Sequence, residues 1–101
     1  MSLSIEERER ASTQMARSME RFGVSNHLIG GFTRFFVEGI RPGMFVESVL
    51  KNDLMTAVGH GRADVIANLK MIIGFLYAEA PAEAYGNSEK VEAWIQRRGL
   101  N

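Results

Sequence analysis

Apolar residues recur at three- and four-residue spacing through nearly the whole chain, and turn-forming residues cut the pattern into segments. Ser4 with Glu7 three positions later is a capping box, and Glu6 and Glu7 suit the positive end of a helix dipole. The first helix is expected to run to Phe22 and stop at Gly23, a favourable residue just beyond a helix end. Val24 and Ser25 restart the chain. Ser25 is placed to cap a second helix, and Val24 with Ile29 has the spacing of a hydrophobic staple. The second helix carries Leu28, Phe32, Phe35, Phe36 and Ile40 as one apolar stripe.

The stretch Gly39-Ile40-Arg41-Pro42-Gly43 breaks that stripe, since a proline disfavours the α conformation in the residue before it and suits a first helical turn. A third helix then sets Phe45, Val46, Val49, Leu50, Leu54 and Val58 on one side, ending at Gly59-His60-Gly61. A fourth runs from about Arg62 or Asp64 to Ala80, with Val65, Ile66, Leu69, Ile72, Ile73 and Leu76 inward and Pro81 closing it. A single helical turn over Ala82 to Tyr85 leads to Gly86. Ser88 caps a last helix bearing Val91, Trp94 and Ile95, with Gly99 at the C′ position and Leu100 packing back on Ile95. No segment alternates as a strand would. The expected fold is all-α, a small helical bundle of four main helices plus a short C-terminal one, in a single domain over 1–101.

The first helix, within 1–23, differs from the others. It is densely charged, and its apolar seam is thin: Ala11, Met15, Met19 and Phe22. Met15, Met19 and Phe22 are therefore candidates for contact with another chain, because methionine adapts readily to partner surfaces. The alternative is a solvated helix lying on the bundle. The later helices have wide apolar faces for so small a core, and a homo-oligomer would cover the surplus.

Composition narrows the function. Lys plus Arg and Asp plus Glu number 12 each, which argues against wholesale binding to nucleic acid. The second helix, turn and third helix have lengths suited to a helix-turn-helix. The third helix, however, has Lys51 as its one exposed cation, fewer than recognition helices carry. There are no cysteines, which removes disulfides, thiolate metal sites and cysteine nucleophiles together. The start, Met1 to Arg8, lacks an apolar stretch after a basic one. The longest apolar run, Met71 to Ala78, is far short of the ~20 residues that span a bilayer. A soluble, cytoplasmic protein is expected, with no membrane partner.

The catalytic inventory is thin: no catalytic residue, cofactor or metal site is expected. The histidines are His27 and His60, and there is neither a nucleophile elbow nor a glycine-rich phosphate loop. His60 and Asp64 stand four apart, too few ligands for a metal, and an enzyme of small phosphorylated substrates built on them ranks last. Asn52 and Asp53 are poor helix-interior residues, expected either to bond across to a neighbouring helix or to face a site. If the second, third and fourth helices run up, down and up, one end gathers Ser25, Asn26 and His27 beside Gly59, His60, Gly61 and Arg62. The other end holds Arg41, Pro42 and Gly43. Helix N-termini beside arginine suit an anion, so His27, Arg41, Gly43, His60, Gly61 and Arg62 are candidate anion ligands. The alternative reads the glycines as turns and the arginines as solvated caps. Phe32, Phe35, Phe36, Phe45 and Phe75 are core candidates, while Tyr77, Tyr85 and Trp94 are suited to pinning the last helix to the bundle.

The stretch Phe36 to Trp94 resembles a family of short bacteriophage and prophage proteins. The likeness is carried by Gly39-Ile40, Pro42-Gly43, Val49-Leu50, Asn52-Asp53-Leu54, Ala63-Asp64 and Asn68. It continues in Phe75-Leu76-Tyr77, Ala80-Pro81, Gly86, Ser88, Val91 and Trp94. The first helix lies outside it, and it brings no catalytic residues. It implies a small accessory protein made inside a bacterial host and acting by binding.

Two functions are therefore expected. The first is a non-enzymatic, homo-oligomeric protein–protein interaction module that blocks a host or phage protein. The second is an oligomeric sponge that sequesters a phosphate-bearing nucleotide signal, a small phosphorylated ligand.

Overall fold

In the computed structural model, which describes residues 2–101, the chain is all-helical. Its helices are α1 (Ile5–Phe22), α2 (Asn26–Glu38), α3 (Met44–Leu50), α4 (Leu54–His60), α5 (Ala63–Ala67), α6 (Leu69–Glu79) and α7 (Ser88–Gln96). A 3₁₀ turn over Ala82–Ala84 joins α6 to α7, where a single turn was expected. No helix among the described residues is long and apolar enough to cross a membrane.

The ends of α1 follow local chemistry closely. Ser4 Oγ accepts from the Glu7 N–H at 3.1 Å, and the Glu7 carboxylate accepts from the Ser4 N–H at 2.9 Å. Such a box stabilises a helix by about 1 kcal/mol. At the other end Gly23 is left-handed, Val24 N–H donates to the Met19 carbonyl and Gly23 N–H to that of Glu20. Val24 and Met19, both buried, add the hydrophobic contact that accompanies this motif.

The two long helices expected in the middle of the chain are each broken, so the arrangement is not four main helices and a short one. The first break is at Lys51-Asn52-Asp53. Asn52 adopts φ 61°, its N–H donates to Val49 and that of Asp53 to Ser48, which closes α3. Asp53 then caps α4, its carboxylate accepting from the Thr56 N–H at 3.2 Å. These residues thus neither bridge to another helix nor sit mid-helix: one ends a helix and the next starts another. The change of direction turns Leu54 and Val58 outward, off the stripe that Phe45 to Leu50 begin.

The second break is a single residue, Asn68, between α5 and α6. Its side chain accepts from the Ser25 N–H at 2.8 Å and donates to the Gly23 carbonyl at 2.9 Å. The amide thereby ties down the α1–α2 turn. Ser25 stands at the cap position but makes no side-chain capping bond; its own carbonyl accepts from the Leu28 N–H at 3.0 Å.

Phenylalanines from α2 and α6 form the centre. Phe35 and Phe36 meet edge-on with centroids 5.2 Å apart, and Phe36 meets Phe75 at 6.2 Å. Helix α1 packs on α2 and α6. The C-terminal segment closes over the end of α2. Trp94 is buried, and its indole N–H is shared between the carbonyls of Phe35 and Phe36 at 3.0 and 3.2 Å. Gly39 and Gly99 touch backbone to backbone. A Cβ built on Gly39 would lie 2.6 Å from the Gly99 nitrogen, and both residues have positive φ. The caps of α7 differ slightly from expectation. Asn87 caps it rather than Ser88, and left-handed Arg98 occupies C′ with Gly99 one place later.

Candidate functional site

Where the chain turns at Asn52, α4 is set alongside α6 but not tightly against it. The space between them is a groove of about 380 Å³ walled by Val49, Leu54, Ala57, Leu69 and Ile73, with Asn52, Asp53 and Lys70 on its rim. Val49, Asn52 and Ile73 also wall a recess of about 190 Å³ that continues to Leu76, Tyr77 and Tyr85. Sharing those residues, the two form one largely apolar trough running from α4 to Tyr85 and Gly86.

Its borders are apolar too. Met55 is 86% exposed, Tyr77 82% and Leu54 66%, and Val58 and Ile73 are also exposed. Leu54 and Val58 lie one turn apart on α4, with Met55 beside them, so α4 offers a raised apolar edge next to the trough. Isolated apolar residues on a surface are ordinary, whereas a contiguous set beside a concavity marks a contact site. Two of the rim groups are charged. Thr56, through its side chain and its backbone N–H, holds the Asp53 carboxyl below its ordinary range. Lys70 makes no ion pair within 4 Å among the described residues.

Asn52 and Asp53, which the sequence offered as facing a site, do line the trough, whereas the candidate partner and anion residues lie elsewhere. Met19 is wholly buried, Met15 and Phe22 pack against the core, and the Phe22 ring meets Phe75 edge-on at 6.2 Å. The thin seam of α1 thus faces its own chain, with Met19 covered and Ala11, Met15 and Phe22 half-buried. Tyr77 does not pin the last helix; Trp94 does, while Tyr85 packs against the core.

The two candidate anion ends fare differently. Arg41 is held by a bidentate contact to Glu92 and by Glu47 at 2.8 Å, and Lys51 bridges the same two carboxylates at 3.1 Å. The Glu92 and Glu47 contacts raise the Arg41 pKa. Hydrogen bonds from Arg41 and then Lys51 lower Glu92 to about 2. Burial works against the Glu47 charge, but the same two cations outweigh it and leave its pKa lowered. This alternating quartet ties the α2–α3 loop, α3 and α7 together, and it leaves Arg41 fully engaged. Gly43 is the exposed residue that precedes α3.

At the other end, Arg62 Nη2 does approach His27 Nε2, at 3.5 Å, but it also binds Asp64 at 3.1 Å. A carboxylate of the chain thus already sits where an anion would. Gly61 is small for a packing reason, since a Cβ there would lie 2.7 Å from the Phe45 ring. His60 ends α4 and Asp64 belongs to α5, so they do not share a helical face. No cluster of three or more potential metal ligands occurs among the described residues.

Neither protein-family models, nor curated proteins, nor solved structures match the chain.

Sequence reasoning missed the trough because it assigned Leu54, Val58, Leu69 and Ile73 to inward stripes of unbroken helices. The available signal was Asn52-Asp53 and Asn68, residues that favour helix ends and that bracket the trough.

Proposed function

We propose that the protein acts by protein–protein association and not by catalysis, with the α4–α6 trough as its docking surface. One observation carries this reading: a concave apolar surface lined by Leu54, Ile73 and Tyr77, all open to water, with exposed Met55 next to Leu54 on α4. Exposure on this scale costs solubility and adds nothing to folding, so it points to a surface covered in use. The trough suits the apolar face of a helix, read as anchors one turn apart. The likeness to short phage proteins supplies the context, in which the surface covered belongs to a host or phage protein whose action is thereby blocked.

The nucleotide sponge has less support, because Arg41 and Arg62 already bind the chain's own carboxylates. The test compares wild type with Ile73→Glu as baits in bacterial lysate, each confirmed folded by circular dichroism. A protein retained by wild type and lost with Ile73→Glu is the expected result. Identical capture by both baits, or capture by neither, would rule out a different protein as the occupant of the trough.

A further inference from the structure

We infer that a second copy of this chain occupies the trough, with the apolar edge of α4 from each copy seated against the trough of the other. The inference rests on the docking surface just proposed and names one occupant of it.

Three observations favour a second copy. First, the edge and the concavity adjoin: Leu54 belongs to both, with Met55 and Val58 outward of it and Ala57 inward. A two-fold axis beside α4 places each edge in the other's trough at once, the self-complementary arrangement that a symmetric dimer requires. Second, the size fits. Leu54, Met55, Val58, Ile73 and Tyr77 leave on the order of 500–600 Å² uncovered per copy, so a pair would bury about 1,000–1,200 Å², near the threshold for a specific interface. Third, the rim is charge-matched to itself. Asp53 and Lys70 carry opposite signs, one at the start of α4 and the other on α6, neither engages an ion pair among the described residues, and the chain as a whole is neutral. Two-fold symmetry lets each acid face the other copy's base without net repulsion.

An interface at the lower size limit gives a dimer that dissociates on dilution. The dimer then competes with any other protein for the same trough, so the fraction of troughs that are free rises as the protein is diluted.

Sedimentation velocity over a dilution series tests this with wild type, Met55→Glu, Lys70→Glu and Met44→Glu. Met44 is an exposed apolar residue on α3, outside the trough. Wild type is expected to shift from dimer to monomer on dilution. Met55→Glu raises the dimer dissociation constant at least about tenfold, as burying an unpaired carboxylate demands. Lys70→Glu raises it about fivefold. Met44→Glu leaves it unchanged, and all three variants keep the wild-type melting temperature to within a few degrees. Wild type that stays monomeric at every concentration overturns the inference. A dimer that Met55→Glu does not weaken, or that Met44→Glu weakens equally, also overturns it. If monomeric wild type still captures a protein that Ile73→Glu loses, the docking surface stands and only the second copy falls. If the dimer responds as expected and neither bait captures another protein, self-association stands without a further target.

Discussion

The C-terminal joint and the α4–α6 trough are built from similar residues and treat them in opposite ways. At the joint, Trp94 is buried with its N–H bonded twice, two glycines let backbones touch, and four charges pair in alternation. At the trough, Met55, Tyr77 and Leu54 stay in water, and Lys70 lacks an acidic partner. The trough's exposure therefore does not arise because the chain is too short to bury large side chains. The same 101 residues close one end completely. Stability resides at the joint, and the trough is left available.

The contrast can be broken most severely at the joint. Gly39→Ala forces a methyl group to within 2.6 Å of the Gly99 nitrogen and puts a side chain at φ 68°. It should cost at least about 4 kcal/mol, and a thermal melt should show little folded protein. Trp94→Phe removes the donor shared by two α2 carbonyls and leaves a partly filled space, so a loss of about 2–3 kcal/mol is expected in urea unfolding. Met55→Glu, by comparison, should leave the melt almost untouched while weakening association. Equal effects at Trp94 and Met55 would remove the distinction between the regions.

A smaller effect separates them by pH. Glu92 is lowered from about 4.5 to about 2 in the folded protein, so the unfolded chain binds its proton first as pH falls. The stabilisation is present in full above about pH 4.5 and is lost as pH drops through about 2. In Glu92→Gln that acid-dependent part of the unfolding curve should flatten. The ion pairs are partly exposed, so added salt should also reduce the difference between variant and wild type.

Much of the chain's local structure was legible without the fold. The Ser4–Glu7 box, the stop at Gly23, the break before Met44 and the turn after Pro81 appear where the residue types place them. Each depends on contacts within four or five residues, which the sequence displays directly. Trp94 was legible as a residue that pins the last helix, though not its acceptors at Phe35 and Phe36. The candidate sites were less legible. Met19 on a charged helix was open to meeting another chain, and Arg62 beside a helix start was open to binding an anion. Only the packed chain shows Met19 in the core and Asp64 against Arg62.

The sequence by itself determined that the protein is all-helical, where most of its helices begin and end, and which aromatic residues fill its centre. Helical period and capping chemistry are local, and phenylalanines at that period have no better place than inside. The tertiary structure decided where the helices break and which apolar residues remain outside. Asn68 tolerates a helix interior or ends one according to partners elsewhere in the chain, here the α1–α2 turn, while the break at Asn52 is closed by bonds to nearby Ser48 and Val49. Once those two breaks are set, Leu54, Ile73 and Tyr77 face water together, and that grouping depends on the angle between α4 and α6, which no local spacing encodes.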